Sequence, residues 1–450
     1  MSRKVIQVAM NGVTGRMGYR QHLVRSLLAI REQGGVPLAD GTLVCPEPVL
    51  VGRREARLRE IAEQHGIERW TTSLDEVLSD PGIDIYFDTQ VTSAREAALA
   101  RAIAAGKHVY TEKPVAGSLD GAERLAQAAR TAGITHGVVQ DKLFLPGMIK
   151  LRRLVRDGFF GRVLSIRLEF GYWVFEGDGL AAQRPSWNFR KEDGGGIVLD
   201  MFPHWQYLLE DLFGPIRALY ARQATHLPVR WDETGTSYAA TADDAAYALL
   251  EFGGGAIASV NSSWAVRVNR RELVELHVDG THGSAVAGLR NCAVQHRAAA
   301  PRPVWNPDLP DPIDYLAQWT DIPDNQIFDN GFKVEWELFL RAAVEGRPFR
   351  WDLAEGARGV QLAGLAQQSS AEGRRVEVPP PASTPDTPPP TDTRHASRPT
   401  DTGDTPRPTD TGDTPRPADR QRAPRPADAR DAPPPASARK VPAPPREPTA

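Results

Sequence analysis

The sequence predicts an α/β protein with two folded domains and a C-terminal tail. Over residues 1–144, short apolar runs alternate with helix-like segments; over 145–378, long β-type runs dominate; over 379–450, proline-rich repeats take over. The first pattern is typical of a parallel sheet with helices on both faces, and the second of a largely antiparallel sheet. These three ranges are the predicted domains.

The first domain has a regular βα rhythm. Apolar runs bounded by turn residues indicate strands, and the segments between them indicate helices. The predicted strands are Val5–Met10, Pro48–Gly52, Asp84–Phe87 and His108–Tyr110, and the predicted helices are Tyr19–Glu32, Glu55–His65 and Ser93–Ala105.

The second domain is predicted to contain a large, mostly antiparallel open sheet, because its apolar residues alternate or run continuously with few helices between them. The predicted β segments are 163–175, 245–252, 256–266 and 273–280, and helices return at Lys333–Val344 and Leu353–Ser370.

The tail, residues 379–450, is predicted to be a disordered Pro-rich segment. It has no aromatic residue and one aliphatic branched residue, Val441, so it lacks apolar surface to offset its ordering entropy. The nonapeptide RPTDTGDTP occurs at Arg398–Pro406 and again at Arg407–Pro415. This repeat favours an extended, partly polyproline II chain, with docking to a partner as the alternative to a solvated appendage.

Composition narrows the function class. A net charge of -3 gives no bulk attraction to nucleic acid or anionic lipid. The cysteines, Cys45 and Cys292, are too few for a disulfide framework or a structural metal site. No segment has the length and apolarity of a membrane span. We expect a cytoplasmic protein without metal, membrane or nucleic-acid partners.

A glycine turn follows the first predicted strand and opens a helix. Its residues are Gly12, Val13, Thr14, Gly15, Arg16, Met17 and Gly18. Glycines permit close backbone approach, and the helix N-terminus attracts a pyrophosphate, so the turn predicts a dinucleotide site. The spacing is G-x-x-G-x-x-G in place of G-x-G-x-x-G, and a plain turn is the alternative.

Arg53 and Arg54 follow the second predicted strand, where an acidic residue normally bonds the ribose of NAD. Two guanidinium groups are better suited to a 2′-phosphate. The sequence therefore favours NADP, with NAD possible, unless both arginines are ordinary solvated charges.

Two further motifs supply candidate catalytic residues. Glu112-Lys113-Pro114 lies at the end of a strand, where Lys113 can stabilise a developing alkoxide. Asp200 and His204 are four residues apart, so on a helix they share a face and the carboxylate can orient the base. Alone, the first motif is a surface turn and the second a structural pair; together they predict an active site.

The glycine turn, Glu112-Lys113-Pro114 and the segment Gly194–His204 resemble the Gfo/Idh/MocA family of oxidoreductases over about residues 4–378. The resemblance implies an N-terminal Rossmann domain, a C-terminal α/β domain, catalytic Lys113, Asp200 and His204, and cofactor contacts at Thr89 and Glu112. Two departures stand out. Tyr207 occupies a position that is commonly acidic, and residues 89–94 read TQVTSA where the family has Thr-Pro-Asn-x-x-His.

The resemblance also implies a sugar, polyol or glycoside substrate, and aromatic rings stack on sugar C–H faces. The residues expected to contact it are Lys142, Tyr172, Trp187, Asn188, Arg190 and Tyr207. The expected reaction is oxidation of a secondary hydroxyl, including conversion of C-glycosides to 3-keto products. A redox-cofactor glycosidase and a non-enzymatic sugar or dinucleotide sensor are the alternatives, and a homo-oligomer is expected.

Overall fold

A computed structural model describes residues 2–300, 306–310 and 313–380. Apart from Pro379 and Pro380, the predicted disordered tail lies outside these residues. Pro379 itself is held, because its carbonyl accepts a hydrogen bond from Arg358 at 2.7 Å.

The first domain is built on one predominantly parallel sheet. Its strands are β1 (Arg3–Asn11), β2 (Val36–Pro37), β3 (Leu43–Val51), β4 (Trp70–Thr71), β5 (Ile85–Asp88), β6 (His108–Thr111) and β7 (His136–Val138). Its helices are α1 (π-helical over Met17–Leu28, then α-helical over Ala29–Glu32), α2 (Glu55–His65), α3 (Leu74–Ser79), α4 (Thr92–Ala104) and α5 (Leu119–Ala132).

The strand order β2-β3-β1-β5-β6-β7 makes β1 central, with β4 beside β3. All pairs are parallel except β2 with β3. The chain moves to opposite sides of β1 to form β3 and β5, so a crevice opens at the carboxyl edge between them, where such sheets bind ligands. The predicted Rossmann architecture is confirmed.

The second domain is built on a larger open sheet. Its strands are β8 (Val163–Phe170), β9 (Ile216–Ala224), β10 (Val229–Trp231), β11 (Ser237–Ala239), β12 (Ala245–Phe252), β13 (Ile257–Ser263), β14 (Val274–Gly280), β15 (Gly283–Ala287), β16 (Cys292–His296), β17 (Thr320–Asp321) and β18 (Val376–Glu377). Its helices are α6 (Pro146–Arg156), α7 (Ile197–Phe213), α8 (Gly331–Glu345) and α9 (Leu353–Glu372).

The main sheet of this domain has the order β17-β16-β15-β14-β8-β13-β12-β9-β18, while β10 and β11 form a separate ribbon. Pairing is antiparallel except between β8 and β13. The predicted mostly antiparallel sheet is therefore confirmed. The predicted strand 163–175 is too long, because the chain leaves the sheet after Phe170.

The sheet buries one face against helices and leaves the other open. Along β12, Ala246, Ala248 and Leu250 are buried, while Tyr247 and Leu249 between them are exposed. The buried face packs on α7 and α9. Since α9 also packs on α5 and β7 of the first domain, it holds the two sheets in a fixed relation that brings α7 to the nucleotide-binding edge.

None of the helices in the described ranges is long and apolar enough to cross a membrane.

Candidate active site

The glycine turn lies at the carboxyl edge of β1, against the loop that follows β5. Gly12 has a φ of +89°, and a Cβ there would lie 2.9 Å from the Thr89 carbonyl carbon. Gly18 approaches the Thr89 side chain just as closely. Gly15 and Arg16 are exposed at the start of α1, whose first amides have no acceptor within the helix. The turn therefore fits the pyrophosphate of a dinucleotide, and Thr89 lies beside it.

Arg53 and Arg54 lie where predicted, between β3 and α2, and both are exposed. Across residues 2–300, 306–310 and 313–380, neither guanidinium forms a salt bridge. Both side chains are therefore available to a ligand phosphate.

Lys113 joins the two domains at the end of β6. Its ammonium donates to Asp200 Oδ1 at 2.6 Å and to the Asp200 carbonyl at 3.0 Å. Lys113 is only partly buried, so its third N–H remains available to a substrate oxygen. The sequence correctly identified two residues, 87 positions apart, that meet in the fold.

Arg184 completes this ion cluster and has no counterpart among the predicted site residues. Its guanidinium donates to Asp200 Oδ2 at 2.6 Å and to Asn188 Oδ1 at 3.2 Å, and it lies over the Trp264 ring. Burial alone would raise the pKa of Asp200, but Lys113 and Arg184 lower it below its usual range. Asp200 is therefore a fixed anion that positions Lys113.

His204 is buried one turn further along α7, and Asp200 does not orient it. Both Asp200 oxygens bind Lys113 and Arg184, whereas His204 Nδ1 lies 2.6 Å from the Tyr207 hydroxyl. The prediction that Asp200 orients the histidine is wrong for this reason. Burial and the charges of Lys113, Lys142 and Arg184 hold the pKa of His204 well below its usual value, so its imidazole is neutral and can accept a proton.

Tyr207 does not lie where its predicted role, contact with the substrate, would require. Its side chain is buried, and its hydroxyl accepts from the Lys142 amide at 3.2 Å and lies 3.4 Å from Asp141 Oδ1. These contacts leave no room for a substrate contact through the hydroxyl. Lys142 remains a candidate, since its ammonium is partly exposed while pairing with Asp141 at 2.6 Å.

Glu112 supports the site from within the first domain. Its carboxylate lies 2.8 Å from His22 Nε2 and accepts from the Lys113 amide at 3.2 Å. Trp336 donates to His22 Nδ1 at 3.0 Å, which leaves Nε2 as the donor to Glu112. The Glu112 side chain is buried and holds the turn that carries Lys113, and its predicted cofactor contact stays a prediction.

The triple glycine fixes the start of α7 against the loop Ser186–Phe189. A Cβ at Gly195 would lie 2.4 Å from the Asn188 carbonyl oxygen, and the Gly196 amide donates to that oxygen at 2.9 Å. This close approach places Asn188 next to the Arg184–Asp200 pair, and the neighbouring Trp187 is exposed.

Other predicted substrate residues have contacts outside the ion cluster. The Arg190 guanidinium lies over the Tyr238 ring, 4.4 Å from its centroid, and 3.9 Å from Asp193. Tyr172 packs edge-on against Trp173 and is partly exposed. The structure brings neither residue into hydrogen-bonding contact with Lys113, Asp200 or His204 within the part of the chain that it describes.

The low pKa of His204 makes a pH prediction possible. Its neutral form should persist below pH 6.5, so kcat/KM should fall only at a more acidic pH. Lys142→Met removes a nearby cation and frees the Asp141 charge; both changes raise the pKa of His204 and should move the acid limb to higher pH. Rate profiles from about pH 4.5 to 8 measure the limb. The control is Lys4→Met, which removes an exposed lysine near the N-terminal end of β1 and should leave the acid limb in place. An unmoved acid limb in Lys142→Met would contradict the assignment of the limb to His204.

No cluster of three or more histidine, cysteine, aspartate or glutamate side chains able to hold a metal occurs in the described residues.

Known proteins resemble this chain over both of its folded domains. Residues 6–139 match the oxidoreductase family model with an NAD-binding Rossmann fold, and residues 148–286 match the GFO/IDH/MocA C-terminal domain. The chain is 59% identical over 379 residues to D-xylose dehydrogenase of Paenarthrobacter nicotinovorans, covering 83% of this chain and 98% of that protein. It is 26% identical over 242 residues to levoglucosan dehydrogenase of Pseudarthrobacter phenanthrenivorans, covering 50% and 61%.

Among solved structures, levoglucosan dehydrogenase in complex with NADH and L-sorbose superposes with a TM-score of 0.69 at 22% identity, covering 83% of this chain and 99% of that one. At that identity the likeness supports the fold alone. The family models and the D-xylose dehydrogenase similarity go further, and they leave no ground for the non-enzymatic sensor. The chain belongs to the Gfo/Idh/MocA family of oxidoreductases and is a dehydrogenase acting on CH–OH groups.

Proposed function

We propose that the protein oxidises a hydroxyl of a free aldose, with D-xylose the first candidate, and reduces a nicotinamide dinucleotide. The observation that carries the proposal is a buried histidine, His204, one helical turn from the carboxylate that holds the Lys113 ammonium at the cofactor edge of a Rossmann sheet. The choice of D-xylose rests on the dehydrogenase that is 59% identical over 98% of its length.

The reaction divides between the two domains. Lys113, held by Asp200, donates its free N–H to the substrate oxygen and stabilises the negative charge that develops there. His204 Nε2 takes the hydroxyl proton as the C–H bond breaks. A bound nicotinamide supplies the hydride acceptor. Arg184 keeps Asp200 ionised, so Lys113 stays in place when the substrate arrives.

Sugar recognition is supported by exposed rings in the segments that precede α7. Trp173 and Trp187 are partly exposed, and an exposed indole face stacks on sugar C–H groups. Phe189, by contrast, is core: it is buried beneath Arg230 and packs against Trp264.

Two products distinguish the possible hydroxyls. Oxidation at the anomeric carbon of a cyclic aldose gives a lactone, whereas oxidation at C3 of a glycoside gives a 3-keto sugar. We favour the lactone because of the D-xylose dehydrogenase similarity, and 3-oxidation of C-glycosides is the second candidate.

A redox-assisted glycosidase needs an additional acid near the leaving group. Glu192, Asp193 and Asp178 lie in the nearest suitable segment, but each is engaged elsewhere. Glu192 accepts from Thr241, Asp193 lies near Arg190, and Asp178 pairs with Arg267. These contacts favour the dehydrogenase.

The decisive experiment incubates the pure protein with NADP or NAD and a panel of aldoses, polyols, O-glycosides and C-glycosides. We expect reduced cofactor and lactone in equal amounts with D-xylose or a related aldose. A 3-keto glycoside would select the second candidate. Free aglycone without reduced cofactor would overturn both in favour of the glycosidase.

We also propose that NADP is preferred, because Arg53 and Arg54 are exposed and have no salt-bridge partner among the described residues, next to the adenosine side of the predicted site. The Arg53→Ala/Arg54→Ala double variant should bind NADP roughly 10- to 100-fold more weakly, since charge-assisted contacts contribute about 1.5–3 kcal/mol when well formed and less when exposed. NAD binding should change little. Cofactor fluorescence titration measures both dissociation constants.

A charge-matched control is available on the same domain. Arg101 and Arg124 are exposed on α4 and α5, where they pair with Asp75 and Glu96. Their double alanine variant should leave both dissociation constants unchanged. If the Arg53/Arg54 variant loses NAD and NADP affinity equally, the two arginines do not read the 2′-phosphate.

We further propose that the protein works in the cytoplasm as a homo-oligomer. Both cysteines are free and buried, which suits a reducing compartment. The open face of the second sheet exposes large apolar side chains, a surface that subunit contacts commonly cover: Leu164, Tyr220, Tyr247, Leu249 and Ile257.

A further inference from the structure

His204 stands at one end of a buried hydrogen-bonded chain. Its Nδ1 lies 2.6 Å from the Tyr207 hydroxyl, and that hydroxyl lies 3.4 Å from Asp141 Oδ1. All three residues are at least nine-tenths buried. Asp141 comes from the turn after β7, so the chain links α7 to the first domain.

The hydrogens of this chain can be assigned by counting. A tyrosine hydroxyl donates once and accepts twice. One acceptor position of Tyr207 is filled by the Lys142 amide at 3.2 Å. If the hydroxyl donates to Asp141 Oδ1, its remaining acceptor position accepts a hydrogen bond from His204 Nδ1–H. Every donor and acceptor of the three side chains is then satisfied.

The opposite assignment leaves a group unsatisfied. If Tyr207 donated to His204 Nδ1, Asp141 Oδ1 would lose its hydrogen-bond donor, because Lys142 Nζ binds the other oxygen. Within the described residues, no further donor reaches Oδ1, and an unmet buried carboxylate oxygen is costly. Asp141 Oδ1 also lies 3.8 Å from Nδ1, so its charge favours a proton on that nitrogen.

The surrounding charges agree with this assignment. Around His204, the cations are Lys113, Lys142 and Arg184; around Tyr207, the carboxylates are Asp141, Glu335 and Glu112. Burial, followed by Asp141, raises the pKa of Tyr207 well above its usual value, so its hydroxyl keeps its proton.

We propose that Tyr207 and Asp141 are positioning residues that hold the proton of neutral His204 on Nδ1 and so leave Nε2 free to act as the base. The inference rests on the proposed function and deepens it. When Nε2 takes the substrate proton, the other protons stay in place, and the new imidazolium is stabilised through Tyr207 by Asp141. The carboxylate that the family commonly carries at position 207 is thus supplied here by another element, with a phenol between it and the histidine.

The first measurement uses the unmodified full-length protein with ¹⁵N-labelled histidine. Nitrogen chemical shifts distinguish the two neutral tautomers, and the His204 signals are those lost in His204→Gln. We expect the Nδ1–H form. The Nε2–H form in the unmodified protein would overturn the proposal without any assay of activity.

Tyr207→Phe removes the acceptor for Nδ1–H and should shift His204 towards the Nε2–H form. We expect kcat to fall at least tenfold, as a fraction of the roughly 10²–10⁴-fold effect of a general base. KM and the cofactor dissociation constant should change by no more than about twofold. An unchanged tautomer, or an unchanged kcat, would count against the positioning role of Tyr207. Tyr86→Phe is the matched control, since this buried hydroxyl also donates to a buried aspartate, Asp88 at 2.8 Å, and should cost stability without changing kcat.

Asp141→Asn gives a readout that a purely structural role would not. The amide oxygen still accepts from Tyr207, so the Nδ1–H form should persist, but loss of the negative charge should move the acid limb of kcat/KM to lower pH. A limb that stays in place would contradict the electrostatic role of Asp141. If the unmodified protein oxidises no sugar, the proposed function fails while the tautomer measurement stands.

Discussion

Replacing His204 with alanine is expected to lower kcat by about 10²–10⁴-fold, the range typical of a lost general base. The imidazole is buried, neutral and bonded through Nδ1, so Nε2 alone remains for the substrate proton. Asp200 is a poor alternative base, because Lys113 and Arg184 bind both of its oxygens and hold its pKa below the usual range. Steady-state rates with the best substrate of the panel measure the loss.

The variant must keep its cofactor site for the result to be informative. Cofactor affinity should be unchanged, since the glycine turn lies in the other domain. His108→Ala is the matched control: this histidine begins β6, at the end of the strand away from Lys113, and accepts from the Thr135 amide at 2.9 Å. It should cost stability and leave kcat unchanged. A His204→Ala protein that binds cofactor and keeps a tenth of normal turnover would exclude His204 as the base.

Much of the fold was predictable because its patterns are local. Alternation along β12 and short apolar runs such as β1 follow directly from the period of a strand and its burial on one or two faces. The break after Phe170 was not predictable in this way, because the residues that follow it are as apolar as those in the strand.

The site was predictable as a set of residues but not as a set of contacts. Helical spacing correctly places Asp200 and His204 on one helix, yet the carboxylate binds Lys113 and Arg184, which lie 87 and 16 positions away in the sequence. The i,i+4 spacing shows only that Asp200 and His204 are near each other. It does not show that two cations, brought to Asp200 by tertiary packing, bind the carboxylate more strongly than a neutral histidine does. The histidine's partner, Tyr207, lies three residues further along the same helix, where side chains are also neighbours, and it is a departure from the family at that position.

Lys113→Ala is expected to lower kcat by roughly 10²-fold or more, because it removes the donor aimed at the developing alkoxide. The substitution should also affect His204, because Lys113 is among the charges that lower its pKa. Removal of Lys113 should therefore move the acid limb of kcat/KM to higher pH. Arg184 still pairs with Asp200 at 2.6 Å, which keeps the carboxylate compensated and the variant folded.

The control for Lys113→Ala is Lys107→Ala. Lys107 is buried and donates to the carbonyls of Asp80 and Ile83, but it precedes β6 and lies at the opposite edge of the sheet from Lys113. Its removal should lower the melting temperature and leave both kcat and the acid limb unchanged. If Lys113→Ala loses turnover without moving the limb, the ammonium acts on the substrate oxygen alone. If Lys113→Ala changes neither the turnover nor the position of the acid limb, Lys113 has no part in the reaction. The ion cluster with Asp200 and Arg184 then serves only to join the two domains.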